Sequence, residues 1–373
     1  MSARRVFDFR GGYPYFALQS PLIKLFTGGN KRLRFYAQQA VKRFPFDTGC
    51  LLNIKPQSNP VTLALTLQSV LSLEQAGMLP YEEGKQLRND LIKRLKSMRS
   101  TAGTSACWGY PFDWEARYAS IPANYPTVVS TGIVCNALFQ VWQATQEEEM
   151  KELISDACLF VTEHLNRTTE QEHVVFSYSP ADHEQVLNAS AKAVRILAQG
   201  YCVTGNESYR DLATDAAAAI IALQRPDGSW PYSMRSTGGW IDNYHTGYLL
   251  DCLSDYSLLC GIDSVQHAIS RGLSFYLEHF FNPDGSPKLF YNKTGPVDCT
   301  AAGQSLLTLT RFGKHEEAGK TALFMIENLR NPEGRFFYRK HRLITDKRIF
   351  MRWSDAWMLA GLTAWIKAET TKN

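Results

Sequence analysis

Apolar residues recur at helical spacing in a series of segments along the chain. The segments cover residues 31–44, 59–76, 81–98, 126–145, 149–165, 183–200, 207–224, 242–259, 264–280, 298–312, 314–330 and 353–369. The odd-numbered segments carry charge on one face, as in "YEEGKQLRNDLIKRLKSM", which predicts outer helices with one solvated side. The even-numbered segments are small and apolar nearly all round, as in "TVVSTGIVCNALFQV", which predicts inner helices packed on both sides.

The loops between these segments alternate in length. Inner-to-outer connections are short, whereas outer-to-inner connections are long and cover residues 45–58, 99–125, 166–182, 225–241, 281–297 and 331–352. All long loops therefore lie on one face. We predict an all-α fold, an (α/α)6 toroid of six helical hairpins over residues 31–373, preceded by a basic N-terminal segment, residues 1–30.

One loop and the helix after it form a unit that the chain repeats. In "QRPDGSWPYSMRSTGGWIDNYHTGYLL" (224–250) a turn at Gly228 precedes an aromatic stretch and a new helix, and Gly285 and Gly334 hold the same place in later copies. Asp242 is a predicted N-cap, so this loop brings Trp240 and His245 to a helix start. Helix N-termini converging at one mouth favour an anionic ligand.

Composition narrows the classes of function. Hydrophobic residues make up 45% of the chain, which is ample for a core. The net charge of +4 does not indicate a nucleic-acid-binding protein. Residues 1–47 hold nine Lys/Arg against two Asp, a net +7, which is typical of a solvated outer helix face; the alternative is contact with an anionic membrane surface or an acidic polymer.

Several patterns bear on location. No apolar run reaches the roughly 18 residues of a bilayer span, and the N-terminus has no continuous apolar core typical of a signal peptide. The eight cysteines lie scattered, which is typical of reduced thiols. We therefore expect a cytoplasmic protein, and nothing in the sequence indicates its oligomeric state.

Two segments resemble the C-terminal domain of D-glucuronyl C5-epimerases. They are Gly228-Ser229-Trp230-Pro231 and the helix start Arg352-Trp353-Ser354-Asp355. The architecture itself resembles the (α/α)6 superfamily of glycoside hydrolases, polysaccharide lyases, epimerases and terpenoid cyclases. The epimerase resemblance implies tyrosines that carry protons and arginines that clamp a uronate, here Tyr178, Tyr232 and Tyr248 with Arg235 and Arg352.

A second resemblance is to the repeats of squalene cyclases and protein prenyltransferases. It rests on "AIIALQRPDGSW" (219–230), "DNYHTGYLL" (242–250) and "VDCTAAGQ" (297–304). It implies a zinc ion bound by His245, Asp298 and Cys299, as an alternative to a site without a cofactor.

The long loops concentrate side chains suited to sugar chemistry. An indole stacks on the apolar face of a sugar, while arginine and carboxylate groups hold its charge and hydroxyls. The candidate catalytic residues are His245, Tyr248, Tyr178, Tyr232, Asp242 and Asp355. The candidate substrate-binding residues are Trp108, Asp113, Trp114, Arg117, Arg235, Trp240, Asn243, Arg352 and Trp353. The structural alternatives are a capping or core histidine for His245, repeat packing for Trp230, and a small buried hydrophobe for Cys299.

These observations favour an enzyme acting on an acidic sugar or glycan in polysaccharide biosynthesis or modification. The expected reaction is C5-epimerase- or lyase-like proton transfer next to a uronate carboxylate. The alternatives are a zinc- or acid-dependent isoprenoid enzyme and a non-catalytic glycan-binding toroid.

Overall fold

Helices account for most of the structure. The computed structural model describes residues 14–44, 48–49, 51–54, 57–103, 105–115, 120–234 and 238–371. The α-helices in these ranges are α1 (Pro21–Thr27), α2 (Lys31–Arg43), α3 (Pro60–Gln75), α4 (Tyr81–Ser97), α5 (Val128–Thr145), α6 (Glu148–Leu159), α7 (Leu187–Thr204), α8 (Glu207–Ala222), α9 (Asn243–Cys260), α10 (Gln266–His279), α11 (Cys299–Arg311), α12 (His315–Leu329) and α13 (Trp357–Thr370). Among these described helices, none is both long and apolar enough to traverse a lipid bilayer.

The predicted helices are all present, with boundaries that differ by a few residues. The segment predicted over 149–165 forms α6 and then a π-helical turn, Phe160–His164. A second π-helical turn, Met351–Ala356, precedes α13. Short helical pieces at Pro14–Gln19 and Pro21–Thr27 were not among the predicted segments.

The inner helices close into a ring. Helices α3, α5, α7, α9, α11 and α13 each pack against the next, and α13 packs against α3. Nearly every residue in the first three turns of α3 and α5 is buried, because these helices face a neighbour on both sides. Helices α4, α6, α8, α10 and α12 each pack outside the inner helix that precedes them. The predicted (α/α)6 toroid is confirmed.

Helix α2 was predicted to be an outer helix, but it lies instead over the end of the toroid that carries the long loops. It packs on the 3-10 helix Pro14–Gln19 and on the strand Trp114–Glu115. Arg34 donates to Glu115 Oε1 at 2.6 Å, and Arg348 donates to the carbonyl oxygens of Lys42 and Phe44. These contacts hold the C-terminal end of α2 beside the loops. The predicted boundary at residue 30 falls in the turn between α1 and α2, where Asn30 caps α2.

The repeated turn has the same geometry in its three copies. Gly228, Gly285 and Gly334 have φ angles of 88°, 81° and 84°, in the region that a side chain disfavours. The carboxylates of Asp227 and Asp284 accept hydrogen bonds from the backbone N–H two residues later. The repeat predicted from the spacing of these glycines is therefore a structural repeat.

Short antiparallel strands line the loop face. Strands β1 (Trp114–Glu115) and β2 (Ser120–Ile121) pair, as do β3 (Arg167–Glu170) and β4 (His173–Phe176). Strands β5 (Val297–Asp298), β6 (Arg339–Lys340) and β7 (Thr345–Asp346) form a three-stranded sheet in that order. Its register places Asp298 opposite Arg339, and this pairing shapes the site described below.

Candidate functional site

The N-terminal ends of the inner helices surround a funnel-shaped opening. An outer cavity of about 490 Å³ leads into a deeper one of about 170 Å³. The two share much of their lining, so we treat them as one space and call it the mouth. Side chains common to both parts include Lys42, Tyr178, Tyr232, His245, Arg352 and Trp353.

A histidine held by a buried carboxylate lies in this mouth. Asp242 caps α9 as predicted, and its Oδ1 accepts the backbone N–H of His245 at 3.0 Å. Its Oδ2 lies 2.7 Å from His245 Nδ1 and accepts the indole N–H of Trp240 at 3.1 Å. Asp242 is buried, whereas His245 keeps part of its ring accessible. With Nδ1 bound to the carboxylate, Nε2 is the ring nitrogen that can exchange a proton with a ligand.

Aromatic rings enclose this histidine. The ring centroid of His245 lies 4.6 Å from that of Tyr232 and 4.2 Å from that of Tyr244. Tyr232 in turn stacks on Trp240, with centroids 4.4 Å apart and an angle of 14° between the planes. This wall offers broad apolar faces with polar edges, which is the surface that a sugar ring needs for stacking.

The facing wall is cationic. Trp353 stacks on Tyr338 at 5.6 Å, and the Lys42 ammonium lies 5.9 Å from the centroid of Trp353. The Arg352 guanidinium lies 4.6 Å from the ring centroid of Tyr110. Arginine and lysine are attracted to aromatic faces, so these contacts help to orient both cations.

The charges that line the mouth do not balance. Among the described residues they are Lys42, Arg339 and Arg352 against Asp242 and Asp298. Both carboxylates are engaged: Asp242 holds the histidine, while Asp298 pairs with Arg339 and caps α11. Burial opposes the charge on Arg339, but the Asp298 carboxylate beside it raises its pKa. A described lining with three cationic side chains and two carboxylates favours an anionic group on the ligand.

The floor of the mouth is formed by buried polar groups. Burial raises the pKa of Tyr248 well above its usual range, so its phenol stays protonated and is suited to donate a hydrogen bond. The Lys192 ammonium lies 4.1 Å from the centroid of that ring. Asn188 lines the deeper cavity and is 2% exposed, and its Oδ1 accepts no hydrogen bond from the part of the chain that is described. Such an atom is expected to bind water or a ligand group.

Many of the residues predicted from the sequence do line the mouth. The structure brings together Trp114, Tyr178, Tyr232, Trp240, Asp242, His245, Tyr248, Arg352 and Trp353. Arg117 and Arg235 lie outside the described residues.

Two predicted ligand contacts are core residues instead. Trp108 is fully buried, and its indole N–H donates to the Leu95 carbonyl oxygen at 2.7 Å. Asn243 is also fully buried, where its Oδ1 accepts from Tyr276 and Ser305. Trp108 lies on a long loop and Asn243 follows one, but their side chains point into the packing between helices, so neither reaches the mouth.

Two acidic residues that were predicted as site residues stabilise the loops instead. Asp113 accepts the backbone N–H of Ala123 at 3.0 Å and contacts Arg34. Asp355 accepts the backbone N–H of Phe336 at 3.0 Å and pairs with Arg335. Neither lines the mouth, because each carboxylate is turned toward the backbone of its own loop. The catalytic role expected for Asp355 is therefore not supported.

The alternative zinc set is not assembled. Cys299 is buried, its thiol donates to the Phe337 carbonyl oxygen at 2.9 Å, and burial raises its pKa, which disfavours the thiolate that zinc needs. Asp298 is already bound to Arg339. Within the described ranges, no group of three or more His, Cys, Asp or Glu side chains could hold a metal ion. His245, Asp298 and Cys299 therefore do not fit a zinc site.

Sequence reasoning missed Lys42, Asn188, Tyr338 and Arg339. The repeat "FFYRK" at 336–340 marks the position of Tyr338 and Arg339, but only the pairing of β5 with β6 turns them toward the mouth. Lys42 carried no local signal, since it reaches the mouth only because α2 lies over the loop face.

Comparison with known proteins bears on the fold alone. No family model and no curated protein matches the chain. Among solved structures, a cellobiose 2-epimerase from Bacillus thermoamylovorans is similar at 10% identity and a TM-score of 0.66, covering 86% of this chain and 90% of that one. A second, from Spirochaeta thermophila, is similar at 11% identity and a TM-score of 0.62, covering 86% and 89%.

A family 76 glycoside hydrolase (mannosidase) from Bacteroides thetaiotaomicron is similar at 10% identity and a TM-score of 0.63, covering 88% of this chain and 91% of that one. The similarity extends over nearly the whole toroid in each case. At such low identity it establishes the (α/α)6 architecture and leaves the chemistry to the residues of this chain.

Proposed function

We propose that the protein is a carbohydrate-active enzyme that moves a proton on an acidic sugar or glycan. The observation that carries the proposal is the His245–Asp242 pair, which lies between aromatic walls in a mouth whose described residues include three cationic side chains and two carboxylates. The sugar-acting names of the similar solved structures, an epimerase and a mannosidase among them, agree with a glycan substrate.

The proposed reaction removes the proton from the carbon next to a uronate carboxylate. Arg352 and Lys42 bind the carboxylate of the substrate. When the C–H bond breaks, its electron pair is delocalised onto this carboxylate, and the two cations stabilise the added negative charge. His245 Nε2 accepts the proton, and Asp242 stabilises the imidazolium that forms. For the C5 epimer, a lining phenol such as Tyr178 gives a proton to the opposite face and regains one from water. For the unsaturated lyase product, the bond to the C4 oxygen substituent breaks and that oxygen takes the proton held by His245.

Glycoside hydrolysis is less well supported by the same geometry. It commonly requires two carboxyl groups on opposite sides of the scissile bond, one of them as a general acid. In the described part of the mouth, Asp242 is bound to His245 and Asp298 is bound to Arg339. Proton transfer by histidine, in contrast, uses the His245–Asp242 and Asp298–Arg339 pairs as they stand in the structure.

The test is deuterium uptake from D2O into uronic-acid oligosaccharides, followed by mass spectrometry. We expect uptake by the wild-type protein and a loss of at least about 100-fold in His245→Gln, since general-base catalysis contributes about that much. His267→Gln, which changes an exposed histidine on α10, is the matched control and should keep full activity.

Two results would contradict the proposal. Equal uptake by His245→Gln and wild type would remove the assigned base. Glycan binding without any uptake, unchanged by His245→Gln, would favour the non-catalytic glycan-binding alternative. Arg352→Gln tests the acidic substrate separately, because it should weaken binding of uronate-containing glycans and leave that of neutral ones unchanged.

A further inference from the structure

A cluster of apolar side chains is exposed at the N-terminal end of the described chain. On α1, Leu22, Leu25 and Phe26 are 55%, 83% and 81% exposed, and their i, i+3, i+4 spacing places them on one face. On α2, Leu33 and Tyr36 are also exposed and share a face at i, i+3. Such contiguous exposure of large apolar residues is uncommon on a protein surface and marks an interaction site.

The fold holds this cluster in a defined conformation. The Ser20 side chain caps α1, and Thr27, on the opposite face, is buried. Gly28 ends α1 with a φ of 51°, and Asn30 caps α2 by accepting the N–H groups of its first turn. Because both helices are capped and α2 is tied to β1 through Arg34, the exposed face is part of the folded molecule.

The charged residues of the segment that carries the cluster have one sign. Residues 14–44 contain Lys24, Lys31, Arg32, Arg34, Lys42 and Arg43, and neither aspartate nor glutamate. Lys24, Lys31 and Arg32 are exposed beside the apolar side chains. We call this surface, made of Leu22, Leu25, Phe26, Leu33, Tyr36, Lys24, Lys31 and Arg32, the apolar-basic face.

This combination favours a membrane over a protein partner. Protein interfaces are depleted in lysine, whereas helices that lie in the interface of a bilayer pair leucine and phenylalanine with lysine and arginine. The apolar groups enter the acyl region while the basic groups contact anionic lipid headgroups. Short helices suit this role, since the face rests on the bilayer and does not cross it.

We propose that the apolar-basic face docks the protein onto an anionic lipid bilayer. Helix α2 links this face to the mouth, because Leu33 and Tyr36 lie in its first half and Lys42, near its C-terminal end, lines the mouth. At about 1.5 Å per residue these groups are within about 15 Å of each other along the helix. Docking therefore holds the mouth close to the membrane surface. The inference does not depend on the proposed reaction.

The test is flotation of the purified full-length protein with vesicles. We expect binding to phosphatidylcholine vesicles that contain phosphatidylglycerol, and much weaker binding to pure phosphatidylcholine. The double variant Leu25→Ser/Phe26→Ser should bind about 100-fold more weakly, because it removes two side chains that would be buried in the bilayer. The triple variant Lys24→Gln/Lys31→Gln/Arg32→Gln should lose about fivefold per charge, and high salt should remove that difference.

The matched control is Leu323→Ser, which removes a leucine 56% exposed on α12. It should bind vesicles as the wild type does. Absence of wild-type binding to the anionic vesicles would overturn the proposal, as would equal binding of the Leu25→Ser/Phe26→Ser variant. A wild-type dimer that this variant converts to a monomer, with no vesicle binding, would assign the face to a second copy of the chain instead.

Discussion

At the scale of single residues, Lys192 shows how burial among the inner helices changes the pKa of a side chain. It is 2% exposed in α7, and it lines a second cavity of about 600 Å³ on the side of the ring away from the mouth. Burial lowers its pKa to about 8, and the neighbouring charge of Arg195 acts in the same direction, against the weaker opposing effects of Asp251 and Asp255. The fold therefore makes the ammonium form of Lys192 easier to deprotonate than that of an exposed lysine.

The lowered pKa of Lys192 predicts a pH dependence of stability. Between about pH 8 and pH 10.5 the unfolded chain binds more protons at this residue, so the free energy of unfolding rises with pH. Below about pH 8 both states are charged, and the folded state carries a constant penalty of about 3 kcal/mol. We expect Lys192→Met to be more stable than wild type at pH 7 and to lose this slope, as measured by urea unfolding across pH.

Lys85→Met, at an exposed position on α4, is the control for the loss of a lysine and should leave the unfolding curve unchanged at each pH. A Lys192→Met protein with the wild-type slope between pH 8 and 10.5 would show that another group controls stability in this window.

At the scale of elements, the repeated turn connects α8, α10 and α12 to the loops that follow them. Gly228 and Gly334 have nearly the same positive φ, but their surroundings differ. A Cβ atom on Gly228 would lie 2.5 Å from the Arg271 carbonyl oxygen, whereas a Cβ on Gly334 would meet no atom within 4 Å. A side chain would thus strain the backbone equally at both positions, but of these two only the Gly228 turn would also suffer a steric clash.

We expect Gly334→Ala to lower the free energy of unfolding by about 1–2 kcal/mol, the cost of a left-handed conformation for a residue with a side chain. Gly228→Ala should lower it by more, because the turn must also move away from α10. Urea unfolding of both variants measures the difference. Equal losses would mean that the Gly228 turn relaxes without cost.

At the scale of the whole molecule, closure of the ring depends on a close approach between α11 and α13. A Cβ atom on Gly303 would lie 2.4 Å from the carbonyl oxygen of Trp357, and one on Gly361 would lie 2.6 Å from the carbonyl oxygen of Gly303. The backbones touch where these glycines meet. The last inner helix, which packs on the first, depends on this contact for its position.

Gly303→Ala should therefore separate the two helices and lower the free energy of unfolding by about 1–3 kcal/mol. Gly319→Ala is the matched control in the outer helix α12, where a Cβ would meet Trp365 at an ordinary 3.5 Å. It should raise stability by about 0.5–1 kcal/mol, since alanine is the better helix former. Thermal unfolding of both proteins checks the opposite signs, and a stabilised Gly303→Ala would show that the helices are not in contact there.

From residue 59 onward, the sequence by itself determined the helices, their inner or outer positions and the repeated turns. These features depend on local periodicity, on loop length and on the φ angle that a glycine permits, all of which are properties of short segments. It also determined the cap at Asp242 and the place of His245 in the first turn of α9, because both follow from the start of a single helix.

Only the tertiary structure decided which loop residues face the mouth. Trp108 and Trp240 both lie on long loops. Trp108 is buried because it packs between helices, whereas Trp240 lines the mouth. Arg339 reaches the site through the register of β5 and β6, and Lys42 through the position of α2. Tryptophan, arginine and lysine serve packing and binding alike, so their roles depend on neighbours distant in sequence that no local pattern encodes.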